Sequence, residues 1–327
     1  MTRVGGAASI PPPDPNLVMR FARDLSRFAL PDTLTDLCVA VSGGADSLAL
    51  LLLAAVARPG EIAAVTVDHG LRAESAEEAR YVSDICTALG VPHAILRIHV
   101  PDDPAGLQAS ARRARYAAMA EWTAAQDIAH LAVGHHLDDQ AETVMMRLER
   151  GAGVAGLSGI RRARALADGI TLIRPLLDWR KSELVDIVQA AGLDAIDDPS
   201  NRDSRFDRAA VRTRLAQGWP DPARLAAVAS NMAQAEDALS FSTDSLFAHR
   251  FDPEAMTLVA ADLPLELCRR LTVKALRVLA NDPVLRGDEV DRLIGRLIAG
   301  QVSTLAGFRI APGAMWHFTT APPHRST

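Results

Sequence analysis

The chain has 327 residues, 49% of them hydrophobic and 23% charged, a globular composition long enough for one large domain and a smaller one. The formal net charge of −5 excludes a global basic field, so a polyanionic partner must be met by a local patch. Three cysteines, Cys38, Cys86 and Cys268, lie too far apart for a CxxC or zinc pattern and read as small buried hydrophobes in a reducing compartment.

Residues 1–15 lack an apolar signal core and read as a disordered leader. Helical spacing begins at residue 16 and runs to 29 through Leu17, Phe21, Leu25 and Phe28. A short β-rich run follows at 37–41. The next apolar stretch, Leu48 to Ala57, is Leu/Ala-rich and poor in β-branching, so it reads as a helix. It has half the ~20 residues needed to span a bilayer, which argues for a cytoplasmic protein without membrane contact. Strands are expected at 62–67, 93–100 and 128–133, with helices at 75–90, 107–126 and 137–151. This alternation means parallel βαβ units with right-handed crossovers, an α/β doubly wound parallel sheet covered on both faces. Residues 151–159 hold four glycines and read as a mobile loop. A short strand, a proline break and a helix follow. Gly218-Trp219-Pro220 marks a boundary between a domain over 16–218 and a second, smaller, α-rich domain over 219–327. That second part reads as helices at 223–247, 264–281 and 287–299, with two short β runs near the end.

Sheets of this kind bind ligands at the carboxyl ends of their strands. The junction after the first strand reads Ser42-Gly43-Gly44-Ala45-Asp46-Ser47. A strand-to-helix turn exposes backbone N–H groups where the helix dipole favours anions. Gly43 and Gly44 allow close approach and positive φ, and Ser42 and Ser47 add hydroxyls. The loop is a phosphate cradle without the lysine of a Walker A loop. Its Asp46 points instead to Mg²⁺, since a carboxylate beside phosphates usually acts through a metal.

The SGGxDS pattern resembles the PP-loop of ATP pyrophosphatases. Further clusters sharpen the likeness: VDHGLRAES (67–75), SARRARY (110–116), GHHLDDQAETVMMRLERGAGVAGLSGI (134–160), RPLLDWRKSEL (174–184) and DDPSNRDSRFDRAAVR (197–212). Together they resemble the tRNA(Ile)-lysidine synthetase family over roughly residues 35 to 215. Where that family reads RNxIR, this chain reads Arg208-Ala209-Ala210-Val211-Arg212, without the Asn.

The resemblance implies an enzyme that uses ATP to join L-lysine to C2 of the wobble cytidine of isoleucine tRNA with a CAU anticodon. The cytidine is first adenylated at O2, and AMP and pyrophosphate are released. It implies ATP contacts at Ser42, Gly43, Gly44, Ala45, Asp46, Ser47, Asp68, His69, Gly134 and His135. Asp139 and Glu142 share one helical face with Thr143, and they would hold Mg²⁺ or grip the lysine. Asp46 and Asp139 are the candidate metal ligands. Arg112 and Arg115 lie three apart on a helix and suit bidentate phosphate recognition, so they join Asp46, Asp139 and Glu142 as catalytic candidates. Arg202, Arg205, Arg208 and Arg212 form the local basic patch expected to track the tRNA backbone. The glycine loop 151–159 would act as a lid. A PP-loop tRNA thiolase and a nucleotide sensor without catalysis are the alternatives, and a homodimer is the base-rate expectation for assembly.

Overall fold

The computed structural model describes residues 10–28, 30, 36–70, 74–101, 106–196, 207–260 and 262–321. The chain divides into two compact units, residues 1–233 and 234–327. The division falls inside one long helix, 15 residues beyond the boundary expected at 218/219.

In the first unit a six-stranded sheet carries β1 (Leu37–Ala40), β2 (Ile62–Asp68), β3 (His93–Arg97), β4 (His130–Ala132), β5 (Ala163–Ala167) and β6 (Ile170–Ile173) in the order β3-β2-β1-β4-β6-β5. All pairs are parallel except β5 with β6. The chain order reverses between β1 and β4, and there the crevice for a ligand opens at the strands' carboxyl ends.

The strands β1, β2, β4 and β6 feed two cores by their period of two. Leu37, Val39, Ile62, Ala64, Ala132 and Ile173 face one core, while Cys38, Ala63, Val65, Leu131, Val133 and Leu172 face the other. The first core packs against α1 (Pro15–Leu25), α2 (Ala45–Ala57), α3 (Ser75–Ala88) and α7 (Lys181–Ala190). The second packs against α4 (Leu107–Ala125) through Tyr116 and Met119. The α2 helix is apolar on nearly every side, with Ser47 through Ala54 all buried, as a helix enclosed by sheet and helices must be. Proline at the first position and the Asp14 carboxylate, which accepts from Asn16 N–H at 2.7 Å, start α1.

The βαβ rhythm does not foretell β5. It is an antiparallel edge strand joined to β6 by Asp168-Gly169, with Gly169 at φ +70°. An Asp-Gly pair between short runs is the signal for such a hairpin. The glycine-rich stretch 151–159, expected to be mobile, is instead tied down around the short helix α6 (Val154–Leu157). Between it and β4 lies α5 (Leu137–Glu149). The α5 residue Arg147 donates to the carbonyls of Gly156 (2.7 Å) and Gly159 (2.8 Å). Gln140 accepts from Ile160 N–H at 2.5 Å and donates to its carbonyl at 3.2 Å. The first unit also holds α8 (Asp207–Ala216) and the start of α9 (Pro222–Arg250).

The second unit carries the expected helices and more β structure than the two runs expected near its end. Five short strands, β7 (Phe251–Asp252), β8 (Thr257–Leu258), β9 (Ser303–Leu305), β10 (Phe308–Ala311) and β11 (Trp316–Thr320), form an antiparallel sheet in the order β7-β8-β11-β10-β9. Its core joins Ile310, Trp316 and Phe318 to Leu271 and Leu276 of α10 (Leu265–Leu279) and Leu293 and Ile294 of α11 (Gly287–Ile298).

Candidate active site

The Ser42–Ser47 loop closes on itself. The Ser47 hydroxyl donates to Gly44 C=O at 3.0 Å and accepts from Ser42 N–H at 3.0 Å, and Ser47 and Leu48 N–H return to the same carbonyl. The amides of the first turn of α2 are those a helix leaves without internal partners. Gly43 adopts φ +83°, and a Cβ there would stand 2.2 Å from Ile196 Cδ1. A Cβ on Gly134, in the turn after β4, would stand 3.0 Å from the Asp46 carbonyl. Gly43 is thus favoured by its positive φ and the Ile196 side chain, and Gly134 by the Asp46 backbone packed against it.

A cavity of about 370 Å³ opens there. It is lined by Ser42, Gly44, Asp46 and Ser47 of the loop, by His69, by Glu78 of α3, by Arg115, Tyr116 and Met119 of α4, and by Gly134, His135 and Asp139. Sequence-predicted residues from four separate segments thus meet at one place. Gly43 and Ala45 shape the loop without lining the cavity, and Asp68 accepts from Gly70 N–H at 3.0 Å, which makes it a turn former. Arg112 is exposed beside the cavity wall, donating to the Tyr116 hydroxyl at 3.4 Å.

The acidic candidates separate. Asp139 faces the cavity, its carboxylate accepting from His136 N–H at 3.1 Å. Glu142 lies one turn further along α5, 4% exposed, and takes both Nε (2.7 Å) and Nη2 (3.2 Å) of Arg212 from α8. Arg212 was expected on RNA; in the structure its fork meets a buried carboxylate. The Glu142 partnership explains why its guanidinium is held even more firmly charged than usual. Arg202 and Arg205 lie outside the described residues, as does the side chain of Arg208.

Two residues absent from the sequence-based site complete the acidic corner. His136 caps α5 with Nε2 3.5 Å from both Asp46 Oδ2 and Asp139 Oδ2, and Nδ1 3.6 Å from Asp138 Oδ2. Burial opposes its charge, but the bonds and fields of Asp138, Asp46 and Asp139 prevail and push its pKa up to about 10. Asp139 N–H approaches His136 Nδ1 at 3.4 Å, which closes the cap of α5. Lys181, at the start of α7, brings Nζ to 3.5 Å from Asp46 Oδ2 while its own N–H donates to Asp138 Oδ2 at 2.8 Å. Burial raises the Asp46 pKa, yet His136 and Lys181 outweigh it and hold the carboxyl below its usual range. Lys181 supplies from a distant segment the positive charge that the loop itself lacks; only its place in the cluster 174–184 hinted at this.

Asp46 Oδ1 is buried with no hydrogen-bond partner among the described residues. Together with Asp139 on the same cavity it fits Mg²⁺, which takes one or two carboxylates plus phosphate oxygens. No group of three or more His, Cys, Asp or Glu among the described residues is arranged to hold a metal by protein ligands alone. The three thiols are buried and dispersed.

The glycine-rich strand-to-helix loop at the reversal point of the parallel sheet fits the PP-loop class, and the PP-loop domain family model matches residues 17–218. Within that class, a tRNA(Ile)-lysidine synthase of Zymomonas mobilis is 42% identical over 293 residues, covering 88% of this chain and 89% of that protein. The protein of the same name from Novosphingobium aromaticivorans is 42% identical over 295 residues, covering 88% and 90%. The chain belongs to the tRNA(Ile)-lysidine synthase family. Among solved structures, the U34-tRNA thiolase NcsA of Methanococcus maripaludis shares the fold, with a TM-score of 0.54, 18% identity, and coverage of 67% of this chain and 78% of that one.

Proposed function

We propose that the enzyme ligates L-lysine to the wobble cytidine of isoleucine tRNA bearing a CAU anticodon, consuming ATP. The observation that carries this reading is the cavity at the β1/β4 crevice, where the glycine-rich loop, an acidic corner and an arginine-bearing wall converge. The cradle seats the triphosphate on the first amides of α2. Asp46 and Asp139 would hold Mg²⁺, which neutralises charge developing on the phosphates.

The cytidine O2 attacks the α-phosphorus and pyrophosphate departs. The lysine side-chain amine then bonds to C2, and AMP leaves with the former O2. Adenylation is needed because a carbonyl oxygen is a poor leaving group, whereas a phosphoester departs readily. The cavity aligns the reactants, and an unpaired anticodon base costs little to splay out. Lysine brings two ammonium groups and one carboxylate, and the acidic corner suits the former. A cytoplasmic homodimer is the setting we infer; no described helix is long and apolar enough to cross a membrane.

Incubation with ATP, lysine and isoleucine tRNA, followed by nucleoside mass analysis, tests this. A gain of lysine minus water on one cytidine is expected, and none from folded Asp46→Ala protein. A gain of sulfur, or no change with the native enzyme, overturns the proposal.

A further inference from the structure

Several arginines of the first unit meet a carboxylate: Arg20 meets Glu183, Arg162 meets Asp178, Arg180 meets Asp221 and Arg212 meets Glu142, all within 2.7 Å. Among the described residues no carboxylate pairs with Arg112, Arg115, Arg164 or Arg174, and the first three of these gather around one ring. The guanidinium carbons of Arg112, Arg115 and Arg164 stand 5.0, 5.6 and 5.5 Å from the centroid of Tyr116. Arg174, 5% exposed, follows β6 and donates to Arg161 C=O at 2.6 Å and to His135 Nδ1 at 3.3 Å. Burial, together with the fields of Arg164 and Arg112, brings its pKa down to about 10.

Cation–π contact with Tyr116 attracts each guanidinium, but it does not cancel their mutual repulsion. Like charges gathered in a partly buried wall call for an anion. The fork geometry of arginine fits phosphate oxygens.

We propose that Arg112, Arg115, Arg164 and Arg174 seat a phosphate of the RNA backbone beside the nucleotide cavity. This deepens the proposed function and rests on it for the identity of the RNA. Two observations favour the RNA over the triphosphate of ATP. First, α4 approaches the cavity from the sheet face opposite α2: Tyr116 and Met119 belong to the core of Cys38, whereas α2 belongs to the core of Leu37 and Val39. The α2 cradle therefore serves the nucleotide from the other side. Second, the cluster runs outward from buried Arg174 and Tyr116 to exposed Arg112 and Arg164 on the edge strand β5. A ligand that reaches all four extends from the cavity to the surface, as a polynucleotide does.

Arg164 is the discriminating position, because it is exposed and stands outside the nucleotide machinery. The test measures the binding of isoleucine tRNA by native enzyme, Arg164→Ala and Arg164→Lys over a series of salt concentrations, and the affinity of each for a non-hydrolysable ATP analogue. One lost phosphate contact predicts about tenfold weaker tRNA binding for Arg164→Ala and a log–log salt slope shallower by about 0.7 to 0.9. Arg164→Lys should keep the slope, and analogue affinity should stay unchanged in both. Far-ultraviolet circular dichroism and thermal midpoint verify the fold. An unchanged tRNA slope in a folded Arg164→Ala protein overturns the inference. A loss of analogue affinity with native tRNA binding overturns it too and assigns the seat to ATP. Native enzyme that binds no tRNA rejects the inference along with the reading beneath it. Slope loss in an enzyme that forms no lysidine leaves the phosphate seat standing and rejects only the reaction.

Discussion

Asp46 stands between two cations, the His136 ring and the Lys181 ammonium, each 3.5 Å from the same oxygen. Lys181 is the more mobile of the two, its side chain 54% exposed, and its long stem can turn toward phosphates seated on the cradle. Its main-chain N–H stays anchored on Asp138 whatever the side chain does. We therefore expect Lys181→Met to raise the KM for ATP about tenfold, the equivalent of about 1.4 kcal/mol, with the thermal midpoint unchanged. Lysidine formation at varied ATP measures it, and an unaltered KM would remove Lys181 from phosphate binding. Gly43 offers a second residue-level prediction. Alanine there must hold φ +83° and meet Ile196 Cδ1 at 2.2 Å, while Gly43 C=O receives Ile196 N–H at 2.9 Å. Gly43→Ala should cost about 1–3 kcal/mol of stability and weaken ATP binding, whereas Ala45→Gly should do neither to that degree. Denaturant titration with and without nucleotide separates the two effects.

Among elements, α5 and α8 are pinned by the Glu142–Arg212 fork and by a small apolar cluster of Ala141, Val144, Val211 and Leu215. Glu142 is 4% exposed and Arg212 49%, so the pair lies between the buried and surface regimes. Arg212→Ala should destabilise the first unit by about 2 kcal/mol, below the 3–5 typical of a fully buried broken pair. It should leave the salt slope of tRNA binding intact, because the fork is already spent within the protein. A shallower slope would return Arg212 to the RNA surface where the sequence placed it. Arg212 and Glu142 are 70 residues apart, and a run of arginines carries no mark of which one turns inward. The cradle was legible because its residues are contiguous and their spacing is itself the chemistry. The strands β1 to β4 were legible as apolar runs between helices. The edge strand β5 was overlooked despite its Asp-Gly turn, since a parallel rhythm leads one to expect no hairpin. In the second unit, strands of two to five residues are too short for alternation to stand out. The turn of β9 and β10 uses Ala306 at φ +50° before Gly307, where an Asn would have announced it.

Across the whole molecule the three thiols share one condition, burial, though they lie in different cores: Cys86 beneath α2, Cys38 on the opposite face of the sheet, Cys268 in the second unit. Burial pushes the Cys38 and Cys86 thiols up to about 12, and Cys268 moves in the same direction. The folded protein therefore holds them neutral where the unfolded chain, near 9.0, would ionise them. A group whose acid form is favoured by folding contributes its full stability below the unfolded pKa and loses it as pH rises from there toward 12. At pH 10 the loss is about 1.4 kcal/mol for each of Cys38 and Cys86. Guanidinium midpoints at pH 8 and pH 10 should fall further for the native protein than for a Cys38→Ala, Cys86→Ala double variant. Comparison of the two differences removes the contributions of tyrosines and lysines that titrate in the same range. In the native state at pH 8, all three thiols should resist alkylation, for the thiolate is the nucleophile and none of the three is accessible. Rapid labelling of Cys38 or Cys86 in the folded protein would show that the sheet's interior opens far more readily than its packing implies.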